Sequence, residues 1–503
     1  MAYKLIGDGS QEPSPFCPSR EALRGYARGE RNPGLAGHIA ECDSCAWFVT
    51  EAMEAEPVAF IDDAIDGATD VEMRYAHQDM STTAAVPVDR HAAYNKGRIF
   101  LVSVLALFTA GVAASLRADV ASELQRTFFD PVDKAHSAEM IGSVLGVPFL
   151  GFAFTIAIGS PLLDLIGAAI LLPLSGVCFI LGTLVILFAS SLASGAGIFN
   201  VIWTGAVITG IGWGLVETVV NPLTVTIYSD DKTARLNILH AWWPGGLIAG
   251  GLLGYGLGAA GVAWNIKLMF ILIPAALVVV LCLGLKFPPT ERVASGISMG
   301  SMFKELLKPM FLLLFCCMFL TAASELAPGQ WVDLALTRTV HMQGILLLVY
   351  VSGIMFVARH FAGPLVHKLS AIGLLWVSCL LASLGLVALS VANSPVTGIL
   401  AATVWGCGVC FMWPTMLATA SDRFPRGGAL LMGLMGTAGT LSINFVLPIM
   451  GKIYDNSKVA LGEGGAAQVS FRAVAVLPAV LLLVFGAIWL YDRSKGGFKS
   501  VKI

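Results

Sequence analysis

The sequence predicts an all-α membrane protein: a bundle of twelve transmembrane helices in two six-helix halves, preceded by a small polar helical domain. Three observations carry this reading. Apolar residues make up 56% of the 503 positions and charged residues only 13%, whereas soluble domains carry about 25% charged residues. From Arg98 onward, apolar runs follow one another, each near the ~20 residues that a bilayer-spanning helix needs. Before that point the chain is polar, and no run in residues 1–95 approaches a span.

The spans are expected near 98–120, 139–160, 166–189, 199–228, 238–260, 268–286, 308–335, 342–359, 371–392, 394–420, 428–451 and 470–491. The fourth, seventh and tenth are longer than needed and contain Pro222, Pro328 and Pro414, which predicts tilt or kinks. Glycine is abundant, at 54 residues, as close packing of membrane helices favours. Lys96, Arg98, Lys232, Arg235, Lys286, Arg292, Lys304, Lys308, Arg359, Lys368, Arg423, Arg426, Arg493, Lys495, Lys499 and Lys502 flank the spans on one side. The other side carries fewer: Arg126, Lys134, Lys267, Arg338, Lys452 and Lys458. Basic residues collect on the cytoplasmic side, so a multi-pass inner-membrane protein with both termini in the cytoplasm is expected. Met1–Ser14 lacks the apolar stretch of a signal peptide, in keeping with that placement.

Five segments follow: a polar domain at 1–56, a linker at 57–95, a first half at 96–286, a cytoplasmic connection at 287–307 and a second half at 308–503. The halves echo each other. Gly214 precedes Pro222 by eight residues and Gly406 precedes Pro414 by eight; both spans lead into short charged loops, at 229–235 and 421–426. Two similar six-helix halves resemble the major facilitator architecture.

The net charge of −2 leaves no basic footprint for nucleic acid. No Walker-type phosphate loop is present, so transport driven by ATP is not expected. Nothing points to an enzyme or to a cofactor for transport. The ten cysteines do not form a secreted disulfide framework. Cys407 and Cys410 lie in an apolar run and read as packing residues.

Ionisable residues inside a span are expensive and mark function by default. Arg117 and Asp119 stand near the end of the first span, Glu217 inside the fourth and Glu325 inside the seventh. Glu217 sits in the apolar stretch GIGWGLVETVVNP, and Asn221, four residues on, shares its helix face. A buried carboxyl there can exchange a proton during a transport cycle and accept hydrogen bonds from a polyhydroxylated ligand. The structural alternatives are that Glu217 and Glu325 bridge helices and that Asp119 pairs with Arg117. His240, Trp242 and Trp243 open the fifth span in LHAWWPGG. A Trp face stacks on a sugar ring, but Trp also belongs at the membrane interface; Trp331, after Glu325, is open to the same two readings.

The run ETVVNP at 217–222, followed by KTARLN from Lys232 to Asn237, resembles the fourth-to-fifth helix region of the fucose:proton symporter family. The resemblance spans about 98–492 and is sharp over about 210–255. It implies that Glu217 lies in a sugar cavity and couples protons; Asn221, Asn237, His240 and Trp243 are counted with it as candidate site residues. The family's first-helix Asp aligns with Asp119 in RADVASEL. This chain places His240 where fucose permeases carry Gln, a departure at the sugar site. The loop that usually carries paired Asp and Arg between the second and third spans reads GSPLLDLIG here. It keeps Gly159, Asp164 and Gly167 but no Arg, and its counterpart at 358–369 keeps Arg359 and Gly363, so the charge lock is expected to be partial.

In the polar domain, His38, Cys42 and Cys45 form H-x3-C-x2-C, and Cys17 completes a closed Cys3His set suited to zinc. With a short helix at about Ser19–Gly29 ahead of it, the pattern resembles the zinc-binding anti-sigma-factor fold. The favoured function is therefore a proton-coupled symporter of a sugar or related small polar solute, embedded in the lipid bilayer, with a zinc-finger-like regulatory domain. The alternative is a membrane-bound regulator that binds a sigma factor and uses the bundle as a sensor.

Overall fold

Long apolar runs leave the backbone no partner but itself in a membrane, and the protein folds accordingly into helices. The computed structural model describes residues 94–134, 136–339, 344–498 and 500–501, with side chains described for these except 138, 329–339, 344–348, 447, 455 and 463. No β-strand occurs among the described residues.

The long helices are α1 (Lys96–Phe129), α2 (Ser137–Ile166), α3 (Ala168–Leu187), α4 (Gly197–Ile227), α5 (Lys232–Ala259), α6 (Trp264–Cys282), α7 (Pro309–Thr339), α8 (Gly344–His360), α9 (Ala362–Leu389), α10 (Pro395–Arg423), α11 (Pro425–Gly462) and α12 (Gly464–Ser494). Among the described residues ten helices are long and apolar enough to cross a membrane. Helix α5 is not among them, its apolar stretch being interrupted by Pro244 and many glycines as well as by polar residues near its start; α8 has only 17 described residues. Side chains such as Phe154 and Leu483, 67% and 75% exposed, face outward as an apolar band that suits lipid.

The expected spans map onto these helices with shifted ends. The sixth begins four residues early and breaks at Phe270–Ile271; the tenth divides into Pro395–Val409 and Met412–Arg423. Pro222 and Pro328 lie inside unbroken helices, so of the three expected kinks only that at Pro414 interrupts a helix. The turns joining α2 to α3 and opening α9 match. Gly167 has φ +90° and Ser370 has φ +64°, each six residues after a proline. Ser370 is the only described non-glycine residue at positive φ, and its Oγ accepts a hydrogen bond from the Gly373 N–H at 3.2 Å.

Helix contacts set the two halves. Gly111 of α1 and Gly246 of α5 lie so close that a Cβ on either would strike the other helix's backbone, which draws α5 and its Trp243 against α1. The halves touch where α2 meets α11 (Ile156 and Ser160 against Gly433 and Gly436) and where α5 meets α8 (Gly245 against Phe356). The end of the bundle bearing the loops 228–231, 283–308 and 424–427 is here called the near end.

Candidate transport site

Helix α4 presents Thr209, Trp213, Glu217 and Asn221 at four-residue spacing, so all four fall on one face. Glu217 and Asn221 are buried, at 5% and 1% exposed. Asn221 Nδ2 donates to Glu217 Oε2 at 2.6 Å and to the Glu217 carbonyl at 3.0 Å. His240 of α5 approaches with Nε2 2.8 Å from Asn221 Oδ1 and 3.9 Å from Glu217 Oε2. A carbonyl oxygen only accepts, so this contact fixes the proton of His240 on Nε2. Polar groups on two helices thus share one hydrogen-bond chain that ends on a carboxyl group.

The other half meets this chain through Arg359 of α8. Its guanidinium is 2% exposed and Nη2 pairs with Glu325 Oε1 of α7 at 3.2 Å. Nη1 donates to the His240 carbonyl at 2.8 Å, and Nε donates to the Cys410 carbonyl. Both carbonyls have a specific reason to be free. A proline lacks an N–H, so each helical proline orphans the carbonyl four residues before it. Pro244 orphans His240, and Pro414 orphans Cys410. Arg359 therefore satisfies one orphan carbonyl from each half. Pro328 orphans Ser324 in the same way, and Trp405 Nε1 donates to that carbonyl at 3.2 Å.

The sequence placed Arg359 in a loop; it lies instead inside the bundle. The available signal was the set of prolines in helix interiors, each demanding a donor from elsewhere. Glu325 reaches Arg359, and its Oε2 has no partner among the described residues. Asn237 donates to the Thr233 carbonyl at 2.9 Å and across the halves to Thr415 Oγ1 at 3.2 Å, without touching Glu217. Trp243 stacks on Trp213 with ring centroids 4.5 Å apart and planes at 9°. Trp242 packs edge-on against Phe108 and Phe356. The side chain of Trp331 lies outside the described residues.

Asp119 and Arg117 do not pair with each other. Asp119 pairs with Lys267 of α6 at 3.1 Å, and Glu123 takes the same ammonium at 2.8 Å. Arg117 instead donates from Nη1 to Thr209 Oγ1 at 2.5 Å.

At the near end the expected partial lock is completed from an unexpected place. Asp164 receives Arg292 (Nε at 2.9 Å, with a second contact from Nη2) and Thr290 Oγ1 at 2.6 Å. Both donors come from the connection between the halves, which sequence spacing within the 159–167 loop does not reveal. Lys232 pairs with Glu291 at 2.8 Å, and Arg423 pairs with Asp492. A cavity of about 90 Å³ lies beside this lock, lined by Leu163, Asp164, Val219 and Pro289 among others; none of Glu217, Asn221 and His240 lines it.

Among the described residues no group of three or more His, Cys, Asp and Glu is placed to hold a metal ion. Cys17, His38, Cys42 and Cys45 lie outside the described residues.

A polytopic helical bundle with buried charges bridging its two halves defines a membrane transport protein by class. The family is shown directly: the model of the Major Facilitator Superfamily matches residues 99–447, and the chain belongs to that superfamily. No curated protein matches it in sequence. The fold is similar to that of the E. coli fucose:proton symporter FucP, at TM-score 0.61 and 15% identity over 77% of this chain and 98% of that one. The proton:xylose symporter XylE, bound to 6-bromo-6-deoxy-D-glucose, is similar at TM-score 0.63 and 16% identity over 77% and 95%. The human organic anion transporter MFSD10 is similar at TM-score 0.56 and 15% identity over 78% and 100%.

Proposed function

We propose that the protein is a secondary active transporter that couples proton movement to symport of a sugar or related small polar solute, through twelve spans with both termini in the cytoplasm. The observation that carries the reading is Arg359 holding Glu325, the His240 carbonyl and the Cys410 carbonyl together, beside the Glu217–Asn221–His240 chain. A buried carboxyl group takes up and releases a proton at the joint between two halves that must rock for alternating access, while Arg359 stays charged. Neutralising Glu325 weakens its hold on Arg359, and neutralising Glu217 changes what Asn221 and His240 face. Each event alters the contact between halves. The symport named for FucP and XylE supports the same reading.

The test is uptake of labelled sugars into proteoliposomes under an imposed pH gradient. Glu217→Gln is expected to lower gradient-driven accumulation at least tenfold, on the order of one lost charged interaction, while exchange without a gradient continues. Equal accumulation by the variant and the wild type would count against the role of Glu217.

The spacing of Cys17, His38, Cys42 and Cys45 supports a zinc-binding regulatory domain ahead of the bundle. Zinc content of the full-length protein, compared with that of a Cys42→Ser, Cys45→Ser variant, measures it; equal content rejects the site. The same spacing favours a second reading, a regulator that binds a sigma factor. Wild-type protein that moves no solute yet captures a sigma factor would replace the transporter reading with that one.

A further inference from the structure

Five basic side chains are buried among the described residues: Arg117, Lys232, Lys267, Arg292 and Arg359. Four of them have a carboxylate partner: Glu291 for Lys232, Asp119 and Glu123 for Lys267, Asp164 for Arg292 and Glu325 for Arg359. Arg117 has none among the described residues. Among the described residues its guanidinium is held by Thr209 Oγ1 alone, and its Nε has no partner. Thr209 Oγ1 itself donates to the Ala206 carbonyl at 2.8 Å, so toward Arg117 it acts as an acceptor. A charge taken out of water needs an opposite charge or several hydrogen bonds to stay there. One hydroxyl does not meet that need.

A second unmet donor stands on the face of α4 that bears Thr209. Trp213 Nε1 is buried without a partner among the described residues. Trp213 follows Thr209 by one helical turn, roughly 6 Å, and Glu217 follows by another. The order along this face is a guanidinium, an indole N–H on a stacked pair of tryptophans, then a carboxyl group and an amide. The two unmet groups are donors, and both call for acceptor oxygens.

We propose that Arg117 binds a carboxylate of the transported solute, so that the substrate class is a sugar acid (a hexuronate or aldonate) and not a neutral sugar. The proposal deepens the symporter reading and rests on it. The carboxylate supplies the counter-charge that Arg117 lacks. The hydroxyls supply acceptors for Trp213 Nε1 and donors for Glu217. Arg117 is then the residue that sets specificity, while Glu217 and Glu325 handle the proton.

The experiment uses the purified full-length protein. Glucuronate, galacturonate and gluconate are compared with glucose and galactose, by thermal shift for binding and by counterflow in proteoliposomes. Sodium chloride and inorganic phosphate are run alone as simple anions. Wild type is expected to favour the acid over its neutral sugar by about 30-fold, on the order of one charge-assisted hydrogen bond. Arg117→Gln brings that ratio close to one, and Arg117→Lys, which keeps the charge but not the fork, lies between. Thr209→Val leaves the guanidinium present but unheld and lowers the ratio several-fold; it serves as the second variant if Arg117→Gln does not fold. Transport of neutral sugars without preference for the acids overturns the proposal and leaves the symporter reading standing. An Arg117-dependent shift given in full by chloride or phosphate, with no further effect of the acids, also overturns it. Transport of neither class removes the symporter reading itself.

Discussion

Helices α4 and α10 hold matching places in the two halves, each with a glycine eight residues before a proline, yet they contribute different chemistry. Five residues before the proline, α4 carries Glu217 where α10 carries Val409; one residue before it, α4 carries Asn221 where α10 carries Trp413. Helix α4 runs unbroken through Pro222 and offers polar side chains. Helix α10 breaks at Cys410–Phe411 and offers its backbone, the carbonyl that Pro414 leaves free. The second helices of the halves show the converse. Aligned on Pro161 and Pro364, Arg359 of α8 stands where α2 has Ile156, which packs against Gly436 of α11. Corresponding positions of the two halves therefore carry different groups: the first half supplies Glu217, the second supplies Arg359 together with its partner Glu325, and proline-freed carbonyls of both halves receive Arg359.

The largest expected effect tests this division. Arg359→Ala leaves Glu325 and two carbonyls buried without a partner and is expected to cost about 3–5 kcal/mol of stability, read as a fall in Tm in detergent. Pro414→Ala restores an N–H for the Cys410 carbonyl, so the double variant is expected to recover about 1 kcal/mol of that loss. Strict additivity of the two substitutions would break the orphan-carbonyl account.

Trp405→Phe applies the same idea within the second half. It keeps most of the ring but removes the donor from the Ser324 carbonyl, for an expected loss of about 1 kcal/mol. In a Pro328→Ala background, where the carbonyl regains its helical partner, the substitution is expected to be nearly neutral by the same thermal measurement. Asp119→Asn sharpens the contrast between α1 and α4. Lys267 keeps Glu123, so the expected change is about 1 kcal/mol or less, with the ratio of protons to solute unchanged in uptake assays. A changed ratio would move Asp119 from the Lys267 pair to the coupling machinery.

The smallest effect lies outside the spans. The hydrogen bond between His136 and Asp133, 2.8 Å long, raises the His136 pKa above its ordinary 6.5, with the Asp133 charge adding to it. The charged form is the one favoured, so the contribution is fully present below pH 6.5 and is lost as pH rises through the raised value. Histidine NMR is expected to show a return toward the ordinary value in Asp133→Asn.

Much of this was legible in the sequence because bilayer thickness imposes a length and a composition on each span. Runs such as 166–189 and 470–491 correspond directly to α3 and α12. The Glu217–Asn221 contact was legible too, since spacing of four residues on a helix guarantees a shared face. Arg359 was not legible as a buried residue, because its flanking RHFAGP reads as a loop and only the partners on α5, α7 and α10 make burial tolerable. The Asp164–Arg292 pair was hidden for a related reason: its members are 128 positions apart, and no local pattern links them.

The sequence by itself determined the bundle, the position of Glu217 within it and the prolines that free carbonyls, since each follows from local composition or covalent geometry. Only the tertiary structure decided which charge meets which. It gave Lys267 rather than Arg117 to Asp119, Arg359 to Glu325, and no described carboxylate to Arg117. The physical reason is that a buried charge is stabilised by the groups within a few ångströms of it, and in a helical bundle those groups come from helices far apart in the chain.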